Sequence, residues 1–479
     1  MSKDFKALFP IFPLILLILN NCSGQDIEAV IKFRDAASSV AEISGKFTSP
    51  RADKHFSILR DFGGFSGLAD RISDVSLESS DGQTVAFKQF MPGEYVAEKE
   101  FTSWRYRVNL APTKRSTASG HTSWVASETG LLFLRDLLPL LTKNSVGKIT
   151  LELPNGWSSS QGAKTFTLAD VDAATILIGR GFRTLTAKEG NLDIRVFAAG
   201  TWQFQDDQMP SFATEIVRSY SERIGPLPLK RVDILYVPFS QTASAGSWEG
   251  DTRGNTVAIV ASDMPFQTQS VQRLHEQFRH EIFHLWFPNG VNLSGNYDWF
   301  YEGFALYESL KLGVALNRLR FEDFLDTLGR AITIDSMLTQ RRSLIDSSIS
   351  RSGVADTTIY ARGMLAGLFT DLQMLKHSGG KDNISSVLRT IYRKYSAASN
   401  ASDGNAAVLD AINSQEVTQF VNGTGTINWA NELSSVGIEA FSEPGLTRLT
   451  VSAKPSSSQR KLLDKLGYNN WRRSPSTPK

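Results

Sequence analysis

The stretch "RLHEQFRHEIFHLWFPNGVNLSGNYDWFYEGFALYES", residues 273–309, holds three of the six histidines of the chain and two His-Glu starts, His275–Glu276 and His280–Glu281. A helix is expected from an N-cap at Ser270 to just before Pro288. At 100° per residue, Val271, Leu274, Phe278, Ile282 and Leu285 fall within about 40° of Phe278 and form a core stripe. His280 and His284 lie about 200° and 240° from Phe278, on the opposite side. Histidines one turn apart can close on one metal ion. His275 sits near the stripe, and Arg279 stands where its partner ligand would be needed, so His275 reads as structural.

Two histidines leave a zinc site one ligand short. Glu302 is the candidate, separated from His284 by seventeen residues and set among Trp299, Phe300, Tyr301 and Phe304. An unpaired carboxylate in that aromatic setting would be costly. The intervening loop gives one helix room to end and a second to return, with Asp298 a candidate cap. With one Zn2+ per chain on His280, His284 and Glu302, an open fourth position holds water of lowered pKa. Glu281 can then take the proton of that water.

The rest of the chain gives no sign of a nucleic-acid binder. Its 479 residues suffice for two or three domains, and the composition (41% hydrophobic, 21% charged) is that of a soluble globular protein. A net charge of +2 and the lack of a basic, aromatic-interleaved run argue against a nucleic-acid partner. Lys3 and Lys6 precede an apolar run from Ala7 to Leu19, which reads as a signal peptide over residues 1–24 and implies export to the periplasm or beyond the cell. For Cys22, the sole cysteine, two readings stay open: acylation as a lipoprotein anchor, or removal by cleavage after Gly24.

Residues 25–172 are mostly strand. In "WRYRVNL", Trp104, Tyr106, Val108 and Leu110 alternate with polar residues, and "KITLELP" repeats the pattern. The expectation is an α+β multidomain chain. An N-terminal β-sandwich is followed at 173–425 by a thermolysin-like catalytic domain of small sheet plus helices, and at 426–479 by a short extension too short for a complete PDZ module. The loop "APTKRSTASGHTS" is expected to be mobile, and "SFATEIVRSYSERIG" to be a helix ended by Gly225 and Pro226.

The motifs "HEIFHLW" and "WFYEGFALYES" resemble those of the gluzincin metallopeptidases. "LELPNGW", "ERIGPLPLKRVDILYV" and "YARGMLAGLFTDLQML" are similar, in the same order, to landmarks of the glycyl-aminopeptidase family; the alanyl/leucyl aminopeptidases are more distant. The resemblance spans roughly residues 100 to 440 and implies hydrolysis of amino-terminal residues from peptides. It gives Tyr360 the oxyanion-stabilising hydroxyl and Glu249, in "AGSWEGDTRGNTVAIV", the substrate's ammonium group. It also makes "NTVAIV" the edge strand that pairs with substrate backbone. Ser247, Trp248 and Gly250 depart from the family pattern around Glu249, which leaves two alternatives open: an endopeptidase, or a zinc-stabilised binding protein without turnover. Glu308 falls one residue short of the family's second acidic position and takes no role from it.

Overall fold

The computed structural model describes residues 26–35, 38–62, 65–141, 144–350, 357–443 and 445–469. The expected signal peptide, Cys22 and the last ten residues lie outside them. No helix among the described residues is long and apolar enough to cross a membrane.

Four layers build the molecule. The first is a seven-stranded mixed sheet around Ile27–Phe33, which pairs antiparallel with Val40–Phe47 and parallel with Gly147–Glu152. In Ser103–Asn109 the expected alternation holds: Trp104, Tyr106 and Val108 are buried and Arg105, Arg107 and Asn109 exposed. The second layer has four strands, ordered Ser158–Ser159, Thr175–Gly179, Thr129–Phe133, Trp124–Val125. Every residue of Thr175–Gly179 is buried. Ile176 and Ile178 pack towards the first sheet, while Leu177, Leu131 and Phe133 pack the other way, onto the third. A strand covered on both faces reads as an unbroken apolar run, as "ATILIG" does. The expected border at 172 therefore falls inside this layer, because Thr175–Gly179 pairs with Thr129–Phe133.

The third layer is a five-stranded sheet in the order Arg183–Glu189, Leu192–Ala198, Arg231–Pro238, Thr256–Ala261, Trp248–Arg253. Leu235 and Val237 meet the four-stranded sheet, and Val232, Ile234 and Tyr236 face the helices. Those helices are the fourth layer and run from Gln267 to beyond residue 415, with Gln208–Arg223 packed beside them. Gln208–Arg223 buries Phe212, Ile216 and Tyr220, and Gly225, at φ +143°, lets the chain turn out of it. After residue 425 come a hairpin, Ile438–Glu443 with Leu446–Val451, and the helix Ser457–Leu466, whose start carries a capping box between Ser456 and Gln459. The Thr447 amide donates to Thr333 Oγ1 at 2.7 Å and ties the hairpin to the helix Phe321–Met337.

Two expectations about loops and edges are corrected. The strand Thr256–Ala261 is not an edge: it pairs on one side with Arg231–Pro238 and on the other with Trp248–Arg253. All six of its residues are buried, as an apolar run in a central strand must be. The edge is Trp248–Arg253, which carries Glu249. The loop expected to be mobile ends in a packed 3-10 turn, Ser116–Gly120, with Ala118, Ser119 and Gly120 buried. Gly120 explains this, since a Cβ there would lie 2.7 Å from Cβ of Glu249, so only a glycine lets the turn seat on the edge strand.

Candidate zinc site

The helix Gln267–Phe283 starts three residues before the expected cap, and Ser270 is buried inside it. Its stripe behaves as read: Leu274, Phe278 and Ile282 are fully buried in the helical core. His275 stays structural. Its Nε2 lies 3.0 Å from Glu215, and Nδ1 accepts from Arg279. Burial lowers its pKa to about 4, against the pull of Glu215 and with Arg279 adding to the fall.

His280 and His284 turn the other way. Their Nε2 atoms are 3.3 Å apart, and Glu302 Oε2 lies 3.5 Å from the first and 3.8 Å from the second. Three donors on a tetrahedral ion with bonds of about 2.1 Å stand about 3.4 Å apart, so this triangle fits zinc. His284 Nδ1 donates to the Phe287 carbonyl at 2.9 Å, which leaves Nε2 its lone pair for a metal. Glu302 sits in the first turns of Asp298–Ala315, the return helix that the sequence required; Tyr297, not Asp298, is its N-cap.

Glu281 also lies near the histidines: one of its carboxylate oxygens and a nitrogen of each ring all fall within 4.8 Å of one another. Yet the edge strand engages it. Thr252 Oγ1 donates to Glu281 Oε2 at 2.8 Å. A Cβ on Gly250 would come within 2.3 Å of Glu281 Oε1, so the glycine that breaks the family pattern is the space this carboxyl occupies. Glu302 thus forms the third corner of a triangle with the two histidines, and Glu281 stands beside it, held by the edge strand. Burial pushes the Glu281 carboxyl up, opposed by His284 and His280.

Tyr360 lies half-buried in a π-helical turn, Thr358–Arg362, which leads into the helix Gly363–Ser378. That helix crosses the Glu302 helix at two glycines so closely that a Cβ on Gly303 would lie 2.3 Å from the carbonyl carbon of Gly363. The crossing sets Tyr360 and Glu302 on adjoining turns of touching helices.

Glu249 is partly exposed on the edge strand and is not alone. His121, next to the Ser116–Gly120 turn, places Nε2 3.8 Å from Glu249 and Nδ1 3.6 Å from Asp251. Arg253 holds Asp251 from the other side at 2.6 Å. Burial alone would lower His121, but contact with Asp251 and Glu249 outweighs it and pushes the imidazole up to about 9.

No protein-family profile and no curated protein sequence matches the chain. Solved structures do. An aminopeptidase N family protein from Idiomarina loihiensis superposes with a TM-score of 0.74 at 14% identity, covering 87% of this chain and 79% of that one. An M1 zinc metallopeptidase from Deinococcus radiodurans gives 0.53 at 14% identity, over 84% and 94%. A mutant of the Deinococcus enzyme, solved with a Tyr-Ser-Ala substrate, gives 0.53 at 15% identity over the same shares. The fold is that of the M1 zinc metallopeptidases.

Within this M1 fold, residues that the sequence did not single out hold the site together. Asn289 donates through Nδ2 to the carbonyls of Thr252 (2.7 Å) and His284 (2.9 Å), clamping the zinc helix to the edge strand. Arg362 is fully buried and anchors the Tyr360 turn through Asp335 (3.0 Å) and the carbonyls of Phe420 (3.1 Å) and Gly425 (2.8 Å). Thr252 and His121 complete the set. Arg362 and Thr252 neighbour Tyr360 and Glu249 in the chain, but nothing local shows what they contact; His121 meets the site from a distant part of the chain.

Proposed function

We propose that the protein is an exported zinc metallopeptidase that removes amino-terminal residues from peptides. The observation that carries this is the triangle of His280, His284 and Glu302, with a second carboxyl, Glu281, beside it and tied to the edge strand. Zinc, when bound there, supplies the Lewis acidity that makes water a nucleophile at neutral pH. The chain's own residues do the rest. The edge strand Trp248–Arg253 offers its free side to an extended peptide. Glu249 on that strand receives the ammonium group. Glu281 takes a proton from the attacking water and hands it to the leaving amine. Tyr360 donates its hydroxyl to the oxygen that gains charge.

The M1 fold supports the peptidase reading. Export rests on the sequence of residues 1–24, and attachment to a membrane rests on Cys22 alone. One observation favours a second reading, endopeptidase action: His121 already stands against Glu249, so part of the charge meant for a substrate ammonium group is met from within. The test is a panel of peptides with free and N-acetylated amino ends, run beside a zinc determination. One zinc per chain and cleavage confined to free amino ends is expected. Equal cleavage of both transfers the reading to an endopeptidase, and a zinc-free, inactive wild type refutes it altogether.

A further inference from the structure

The C-terminal helix Ser457–Leu466 has no part in the zinc chemistry, yet it closes one side of a cavity of about 540 Å3. The other walls come from the end of Gln208–Arg223, the far end of the Glu302 helix at Lys311, and the start of the helix Ile384–Tyr395. Five cations line it, Arg223, Lys311, Arg389, Lys461 and Lys465, against two carboxylates, Glu222 and Asp464.

Their charges are not all equally free. Lys311 is buried, with Nζ 2.6 Å from Asp371 Oδ2, and Asp371 also accepts from Tyr307 and from the Ile384 amide, so that pair cancels. Arg223 differs. Its one acidic neighbour, Glu308, is fully buried 3.7 Å away, with neither carboxyl oxygen hydrogen-bonded in the described structure. Burial pushes the Glu308 carboxyl up, against Lys311 and Arg223. Arg389, Lys461 and Lys465 make no ion pair among the described residues. With Lys311 paired to Asp371, the lining itself sets Arg223, Arg389, Lys461 and Lys465 against Glu222 and Asp464, an excess of cations along a concave wall that concentrates the field. Asn383 and Ser385, at the start of the helix Ile384–Tyr395, line the wall, while the amides of Ile384 and Ser385 are already taken by Asp371 and Asn383.

We propose that this cavity binds a phosphate dianion, either free phosphate or the phosphomonoester of a larger molecule such as a lipid headgroup. The excess of cations in the lining suits a multiply charged anion, and guanidinium and ammonium groups suit its several oxygens. The reading is independent of the peptidase assignment.

The test titrates the full chain with inorganic phosphate at constant ionic strength, following thermal stability and binding heat. A second arm measures co-flotation with vesicles of phosphatidylcholine with or without phosphatidic acid. The variants are K461E/K465E, which leaves the buried Leu462, Leu463 and Leu466 in place, and R389Q as an independent, milder change. Saturable stabilisation by phosphate, weakened at least about tenfold in both variants while zinc content and peptide hydrolysis stay at wild-type levels, is the expected result. Binding to phosphatidic acid vesicles alone, lost in both variants, supports the headgroup as the source. The proposal is overturned if neither probe binds, if sodium chloride reproduces the effect, or if the variants bind as the wild type does.

Discussion

Gly250→Ala is the sharpest perturbation of the proposed mechanism. The added Cβ would lie 2.3 Å from Oε1 of Glu281 and 2.4 Å from its Cδ, and every one of the nearest atoms belongs to that residue. Ordinary contact needs about 3.4 Å, so the carboxyl must retreat by roughly 1 Å. It cannot do so and keep the 2.8 Å bond from Thr252 Oγ1. A hydrogen bond to a charged group contributes about 1.5–3 kcal/mol, and a reacting group misplaced by about 1 Å can cost on the order of 100-fold in rate. The expectation is a fall in kcat of about 10- to 100-fold, with KM changed by less than about threefold and zinc content unaltered. Thr252→Val removes the same bond without the steric push and should cost less, about 3- to 10-fold in kcat. Steady-state hydrolysis of a free-amino dipeptide amide, with zinc measured on the same samples, reads both. If Gly250→Ala folds, holds zinc and turns over at the wild-type rate, Glu281 is not the base or does not act from this position.

Other outcomes follow from the same geometry. Glu302→Ala removes one corner of the ligand triangle, so zinc should fall from one per chain to near none after dialysis and thermal stability should drop with it; retained zinc would reassign the third ligand. Glu281→Gln should keep zinc and lose about 100-fold or more in kcat, and wild-type turnover would rule the base out. His121 carries a proton to about pH 9 against an ordinary 6.5, so its contribution is complete below pH 6.5 and is lost as pH rises through 9. Wild type should therefore exceed His121→Gln in stability by on the order of 2 kcal/mol near pH 7, and the gap should close by pH 10. Urea unfolding at several pH values measures it, and a gap independent of pH would contradict the charge of the imidazole. Glu249→Gln should raise KM for free-amino peptides about tenfold and leave N-acetylated ones unchanged, a contrast that vanishes under the endopeptidase reading.

How far the sequence carried differs from residue to residue, and the reason is sequence distance. The zinc triangle was legible because two of its corners are one helical turn apart and the third returns after a short loop. The α+β order was legible because strands such as Ser103–Asn109 bury one face and keep period 2. Thr256–Ala261 reads as an edge only through the family resemblance; six buried residues in a row belong to a strand with neighbours on both sides. The loop that contains His121 reads as mobile in the sequence because nothing local reveals the contact Gly120 makes with a strand far along the chain. Arg362 and Glu308 take no role from the sequence, since nothing local reveals that both are fully buried in the folded chain.

The four-stranded middle sheet has one more consequence, for anyone who would handle the catalytic half by itself. Its outer faces complete two hydrophobic cores at once, so a fragment beginning at residue 173 would carry Phe197, Leu235, Val237, Ala258 and Val260 with part of their covering layer gone. Such a fragment would present a flat apolar face to solvent and self-associate. The smallest transferable unit is thus the chain from Ser116 onward, which keeps the turn and His121 that seat on the edge strand, and its own inward face, Leu132, Ile176 and Ile178, would then need redesign. In this architecture the substrate-facing wall cannot be exchanged like a cassette; it is inherited together with the floor beneath it.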